Sequence, residues 1–140
     1  MNFIKVIWGL MLYFLCALLI CCAPEKKDRP ATALDTGRAF IRASLDGDFK
    51  QAEILLLNDS QNLQLFQSYK MYYNRLPAST KKSYKDAAYT INKYDDENDS
   101  TTIINYANTF MNKPMDIKVL RKNAEWQVDF KYAYIDNLQP

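Results

Sequence analysis

Histidine does not occur in this chain, and cysteine occurs only three times, at positions 16, 21 and 22. The first absence removes Ser-His-Asp and Cys-His nucleophilic systems, zinc fingers and ordinary histidine-rich metal centres together, because each needs an imidazole as base or ligand. The second leaves everything after Cys22 without a disulfide or a thiolate metal site, even in a compartment that would permit one. Glycine is scarce as well, with 3 in 140 residues, and Gly47 has no phosphate-cradling neighbours. A dominant sign of charge is also lacking. Of 18 basic residues, the 17 other than Lys5 stand beside 16 acidic ones. A body so close to neutral carries no electrostatic footprint for nucleic acid. No nucleic-acid partner, metal or cofactor is expected.

What the chain does have begins at its N-terminus. Lys5 precedes an uncharged run over residues 6–23. One positive charge and then an apolar stretch of about 15 residues have the form of an export signal. The run closes on Leu19-Ile20-Cys21-Cys22, which resembles the recognition sequence of lipid-anchored bacterial lipoproteins. That resemblance implies a diacylglycerol thioether on the Cys22 sulfur and cleavage just before it. The small Cys21 suits the slot ahead of the modified cysteine and the bulky Ile20 does not, so Cys22 is favoured and Cys21 is the alternative. A second reading is an uncleaved helix, since about 20 apolar residues span a bilayer. Either way the remainder is exported and tethered to membrane. Ala23 lacks the acidic character that the resemblance associates with inner-membrane retention, so the expected location is the cell envelope, at the outer membrane.

The expected organisation is a signal at 1–22, a flexible tether at 23–33 with two prolines and five charges, and one domain at 34–135. The 118 residues after Cys22 suffice to bury roughly two-thirds of their unfolded surface without covalent staples.

Within that domain, Thr32 or Asp35 can cap a helix to about Asp46 with Leu34, Phe40, Ile41 and Leu45 inward, and Gly47 ends it. Asp48 and Gln51 have capping-box spacing for a short second helix bearing Phe49, Ala52, Leu55 and Leu56. Ser60 opens a third through Leu63, Phe66, Tyr69, Tyr73 and Leu76. Pro77 argues against further helix. The apolar period then becomes two. Ala87, Tyr89 and Ile91 form one strand; Thr102, Ile104 and Tyr106 form another, with Asp95–Asp99 as the polar turn between them. Residues 115–120 form a third, and Trp126, Val128, Phe130 and Tyr132 the clearest strand. Helices followed by an antiparallel meander define an α+β fold.

Leu45-Asp46-Gly47-Asp48-Phe49, with Ala52 following, resembles the opening of the nuclear transport factor two-like superfamily. The stretch Val119-Leu120-Arg121-Lys122-Asn123-Ala124-Glu125-Trp126-Gln127-Val128 is similar to the last hairpin of its small bacterial lipoproteins. Over about residues 34–132 this implies a cone: a curved sheet of about four strands wrapped around helices, with a pocket at the open end. Ala124 stands where glycine is common, so a longer or bulged turn is expected there in place of a tight one. Nothing matches the catalytic motifs of the superfamily's enzymes, so no catalytic residue is carried over.

Tyrosine is abundant, nine of ten lying after the leader, and each ring offers apolar area with one polar tip. The candidate pocket comprises Tyr72, Tyr73, Tyr89, Tyr106, Trp126 and Phe130, residues that serve equally as core. Asp86 and Tyr84 alternate with the apolar face of the strand that continues through Ala87 and form a conceivable base and partner if the carboxylate is buried; a surface Asp is the plainer reading. Asp95, Glu97 and Asp99 alternate as calcium ligands do, but Ser100 and Tyr106 stand where such a loop needs Gly and Glu. The expected role is a non-enzymatic binding domain for a small apolar ligand or an envelope protein. The alternatives are an Asp/Tyr isomerase or hydrolase, or an inhibitor or immunity protein presenting the acidic turn.

Overall fold

The computed structural model describes residues 29–137. Residues 1–28 and 138–140 lie outside the described residues, and with them the expected signal, Cys21, Cys22 and the first part of the expected tether. Thr32 opens α1 (Ala33–Asp46) by accepting the Asp35 backbone N–H at 3.1 Å. Gly47, at φ 72°, closes it, a conformation that costs an L side chain and suits glycine. Asp48 then caps α2 (Phe49–Ile54) through the Gln51 N–H. The cap of α3 (Ser60–Arg75) is Asp59, which accepts from Asn62 N at 2.8 Å; Ser60 is already helical.

Pro77 separates two helices and does not end helix formation. It stands as the N-cap of α4 (Ala78–Asp86), where the missing N–H has no intrahelical partner to lose. Tyr84 and Asp86 are therefore helical, correcting the strand assignment made for them above. Arg42 of α1 holds the far end of α4, donating to the carbonyls of Ala87 at 2.9 Å and Lys85 at 3.1 Å. A cation at those free carbonyls is favourable.

Four antiparallel strands follow in simple order: β1 (Tyr89–Asn98), β2 (Thr101–Asn108), β3 (Pro114–Lys122) and β4 (Glu125–Asp129). The fold is α+β, with helices packed on a curved sheet. Most of the acidic segment belongs to β1, because Asp95, Asp96 and Asn98 pair with Ile103, Thr102 and Thr101. Only Asp99 and Ser100 remain as the turn. The β3–β4 connection is tight, with Asn123 and Ala124 at φ 53° and 64° between the paired Lys122 and Glu125. The longer turn expected from Ala124 does not form. Matching the twist of the two strands outweighs the strain of one alanine in the left-handed region.

The last strand also stops sooner than its alternation suggests. Phe130 and Tyr132 belong to α5 (Phe130–Asn137), whose first ring turns inward against Phe66 at 5.3 Å and Phe40 at 6.1 Å. The Leu55–Leu57 segment runs beside β4, exchanging hydrogen bonds with Val128 at 2.8 and 2.9 Å. That contact occupies an edge otherwise open to pairing. Residues 29–33, within the span read as tether, are engaged with the domain. Arg29 pairs with Glu125 at 2.6 Å, Thr32 caps α1 and Ala33 is buried. No helix among the described residues is long and apolar enough to cross a membrane.

The core lies between α1, α3 and the inner face of the sheet. Phe66, fully buried, is ringed by Phe40, Phe49, Tyr69 and Phe130 at 5.3–6.2 Å between centroids. Gly37 lets α1 lie directly on β2 and β3, for a Cβ there would stand 2.4 Å from Ile104 Cδ1 and 3.2 Å from Ile117 Cδ1.

Candidate functional site

Beyond the Gly37 contact, α1 and the sheet enclose a cavity of about 460 Å³. Phe40, Ile41, Ser44 and Leu45 of α1 form one wall. Ser68, Tyr69 and Tyr72 of α3, Tyr84 of α4, and Tyr106, Asn108, Met115 and Ile117 of the sheet form the others. Met111, Phe130 and Ala133 complete it. None of these side chains carries a formal charge. The volume lies in the range of sites for small organic molecules, and an apolar lining with a few convergent polar groups is typical of them.

Local structure explains the polar groups. Asn108 ends β2 and is 3 % exposed. Its Oδ1 accepts the backbone N–H groups of Phe110 at 3.1 Å and Met111 at 2.8 Å, the local turn for which asparagine is suited. That bond places Met111 over the cavity. Tyr106 precedes it by two residues and so points to the same face of the sheet. Tyr84 reaches the same space from α4, its ring edge-on to Phe110 at 4.7 Å.

Burial raises the Tyr106 hydroxyl to about 12, with the neighbouring Tyr84 adding to the effect. Tyr69 is pushed up further by burial first, then by Tyr106 and Tyr84, and Tyr84 rises through burial and the proximity of Tyr72 and Tyr73. The phenols thus converge, and all stay protonated at neutral pH.

Three of the six residues expected to line a pocket meet here: Tyr72, Tyr106 and Phe130. Tyr72 is 56 % exposed. The other three lie elsewhere. Tyr73 is buried beneath Gly47 and against Phe49, 4.9 Å between centroids. Tyr89, half-buried, supports the core from the start of β1 opposite Asn108. Trp126 borders a separate shallow cleft with Tyr94, Asp96, Asn98 and Thr102, and its ring is covered by Arg121. Asp86 is on the outside of α4, paired with Lys82. Among the described residues, no group of three His, Cys, Asp or Glu side chains is placed to hold a metal.

Sequence reasoning assigned Tyr69 to the core and Tyr84 to a strand, and it passed over Ser44, Asn108, Met111 and Met115. Asn108 left a readable signal, an asparagine at the end of the alternation and ahead of the strand-breaking Asn112-Lys113-Pro114. The others left none, because a core methionine and a cavity methionine have the same sequence pattern.

No family model matches this sequence, and no curated protein or solved structure is similar enough to it to count as a match.

Proposed function

We propose that this protein is a lipid-anchored domain of the bacterial cell envelope that holds a small, uncharged, largely apolar molecule and performs no chemistry on it. The observation carrying the binding half is the charge-free cavity of about 460 Å³ between α1 and the sheet. Tyrosines with raised pKa values are poor bases near pH 7, and among the described residues no carboxylate lines the space to act in their place. Those features weigh against the isomerase or hydrolase alternative. Lys5, the uncharged run behind it and Leu19-Ile20-Cys21-Cys22 support the anchor. The likeness to nuclear transport factor two-like lipoproteins remains part of the same proposal. The order of helices then meander, and a cavity between helix and sheet, are compatible with it.

Each half has its own experiment. Native mass spectrometry of the full-length protein from its own membranes should reveal a small neutral adduct. Release of a stoichiometric protein partner with no such adduct would replace the small-ligand reading with the envelope-protein one. Cys22→Ala should abolish labelling by radioactive palmitate and free the protein from outer membranes. Retained labelling would move the lipid to Cys21, and an unacylated chain soluble in the cytoplasm would end the envelope assignment.

A further inference from the structure

The cavity's polar groups are unequal in kind. Asn108 Oδ1 is committed to two backbone donors, which fixes the amide orientation and leaves both Nδ2 protons without a partner among the described residues. Asn108 as a residue is 3 % exposed yet lines the cavity. The hydroxyls of Tyr69, Tyr84 and Tyr106 also make no hydrogen bond to another described residue. Ser68 uses its proton on the Gln64 carbonyl at 3.1 Å, and the Ser44 oxygen is occluded. Apart from lone pairs on hydroxyl oxygens, the lining side chains present no free acceptor. A hydroxyl can accept as well as donate, whereas the Asn108 amide, its oxygen already engaged, can only donate here, and a buried donor without an acceptor is costly.

Resting on the cavity reading above, we propose that the ligand carries a strong neutral hydrogen-bond acceptor on an apolar frame, such as a ketone, ester or amide carbonyl, received by Asn108 Nδ2 with the hydroxyls of Tyr106 and Tyr84. Asn108 and Tyr106 stand two residues apart on one face of β2, about 7 Å along the strand, so one carbonyl-bearing group can lie between them. An anion meets no countercharge in the lining and would lose its hydration on entry. A plain hydrocarbon fits the apolar walls and leaves the donors unmet.

The test compares three compounds with one ring frame. Full-length protein in lipid nanodiscs is dialysed against 2-acetylnaphthalene, 2-ethylnaphthalene and 2-naphthoate, with uptake by empty nanodiscs subtracted. The ketone should bind about tenfold more tightly than the hydrocarbon, the equivalent of one hydrogen bond, and the carboxylate most weakly of the three. Tyr84→Phe with Tyr106→Phe should erase most of the ketone's advantage while leaving hydrocarbon affinity in place. Asn108→Asp, which keeps the acceptor for Phe110 and Met111 but replaces the cavity donor, should do the same. If that variant does not fold, the double phenylalanine variant decides alone. Equal affinity for ketone and hydrocarbon in the parent overturns the acceptor proposal and spares the apolar-ligand reading. Binding of neither overturns both. A ketone preference that survives the substitutions overturns the assignment to these residues.

Discussion

Phe40, Tyr69 and Phe130 divide the molecule into two unlike regions that share them as a wall. On one side they close around Phe66 with ring-to-ring contacts at 5.3–6.2 Å and no exposed surface on Phe66. On the other they face about 460 Å³ of open space with hydroxyls and an amide on its far side. Both regions use aromatic residues at helical spacing, so the difference does not come from hydrophobicity. It comes from where α1 touches the sheet. At Gly37 the helix has no side chain to hold it away; toward Ser44 and Leu45 it borders the void. A core becomes a cavity where facing elements separate faster than their side chains can fill the gap.

The largest expected effect is on the closed side. Phe66→Ala should cost about 3–5 kcal/mol of stability in denaturant titration. Met111→Ala, at the half-exposed rim, should cost clearly less; equal losses would mean the two regions are not mechanically distinct. Next is the contact between them. Gly37→Val should destabilise by about 1–3 kcal/mol through overpacking against Ile104 and Ile117. A neutral result would show that α1 is not held where the glycine allows.

Asp59 tests the closed side electrostatically. Its carboxyl is lowered to about 2, first by the Asn62 backbone N–H, with burial opposing and the Asn62 amide and Lys131 assisting. The folded value lies below the ordinary 3.8, so its stabilisation is complete only well above that value and drains as pH falls from about 5 toward 2. Asp59→Ala should cost about 1 kcal/mol near pH 7 and flatten that acid limb in melting experiments. An unchanged limb would assign acid sensitivity to other carboxylates. The cavity, having none in its lining, should contribute no such limb.

The smallest effect lies outside both regions. Ala124→Gly should add about 0.5–1 kcal/mol by relieving the positive φ at 64°. Ligand affinity should stay constant while the melting temperature rises. A fall in stability would show that the turn is held by something other than its backbone conformation.

The helices capped by Thr32, Gly47 and Asp48 were legible because capping chemistry is local. The strands around Ile104 and Val119 were legible because period-two alternation survives without neighbours. Pro77 was misread since the same ring that ends one helix can begin another, and only the placement of α4 by Arg42 decides which. Phe130 and Tyr132 continued a perfect alternation, yet the pairing of β4 ends with Asp129 opposite Lys118, and the chain then turns inward. Half of the expected pocket residues came together. Tyr73 is placed in the core, Tyr89 at its edge and Trp126 beside a separate cleft.

Composition and local order by themselves determined that this chain has no histidine and, beyond residue 22, no cysteine, that helices precede a meander, and where most elements are capped. These follow from residue identity and contacts a few positions long. Only the tertiary structure decided that Tyr69, Tyr84, Tyr106 and Asn108, from three different elements, surround one space, and that the space stays open. Their convergence depends on how α3 and α4 pack against β2, an arrangement set by many distant contacts at once.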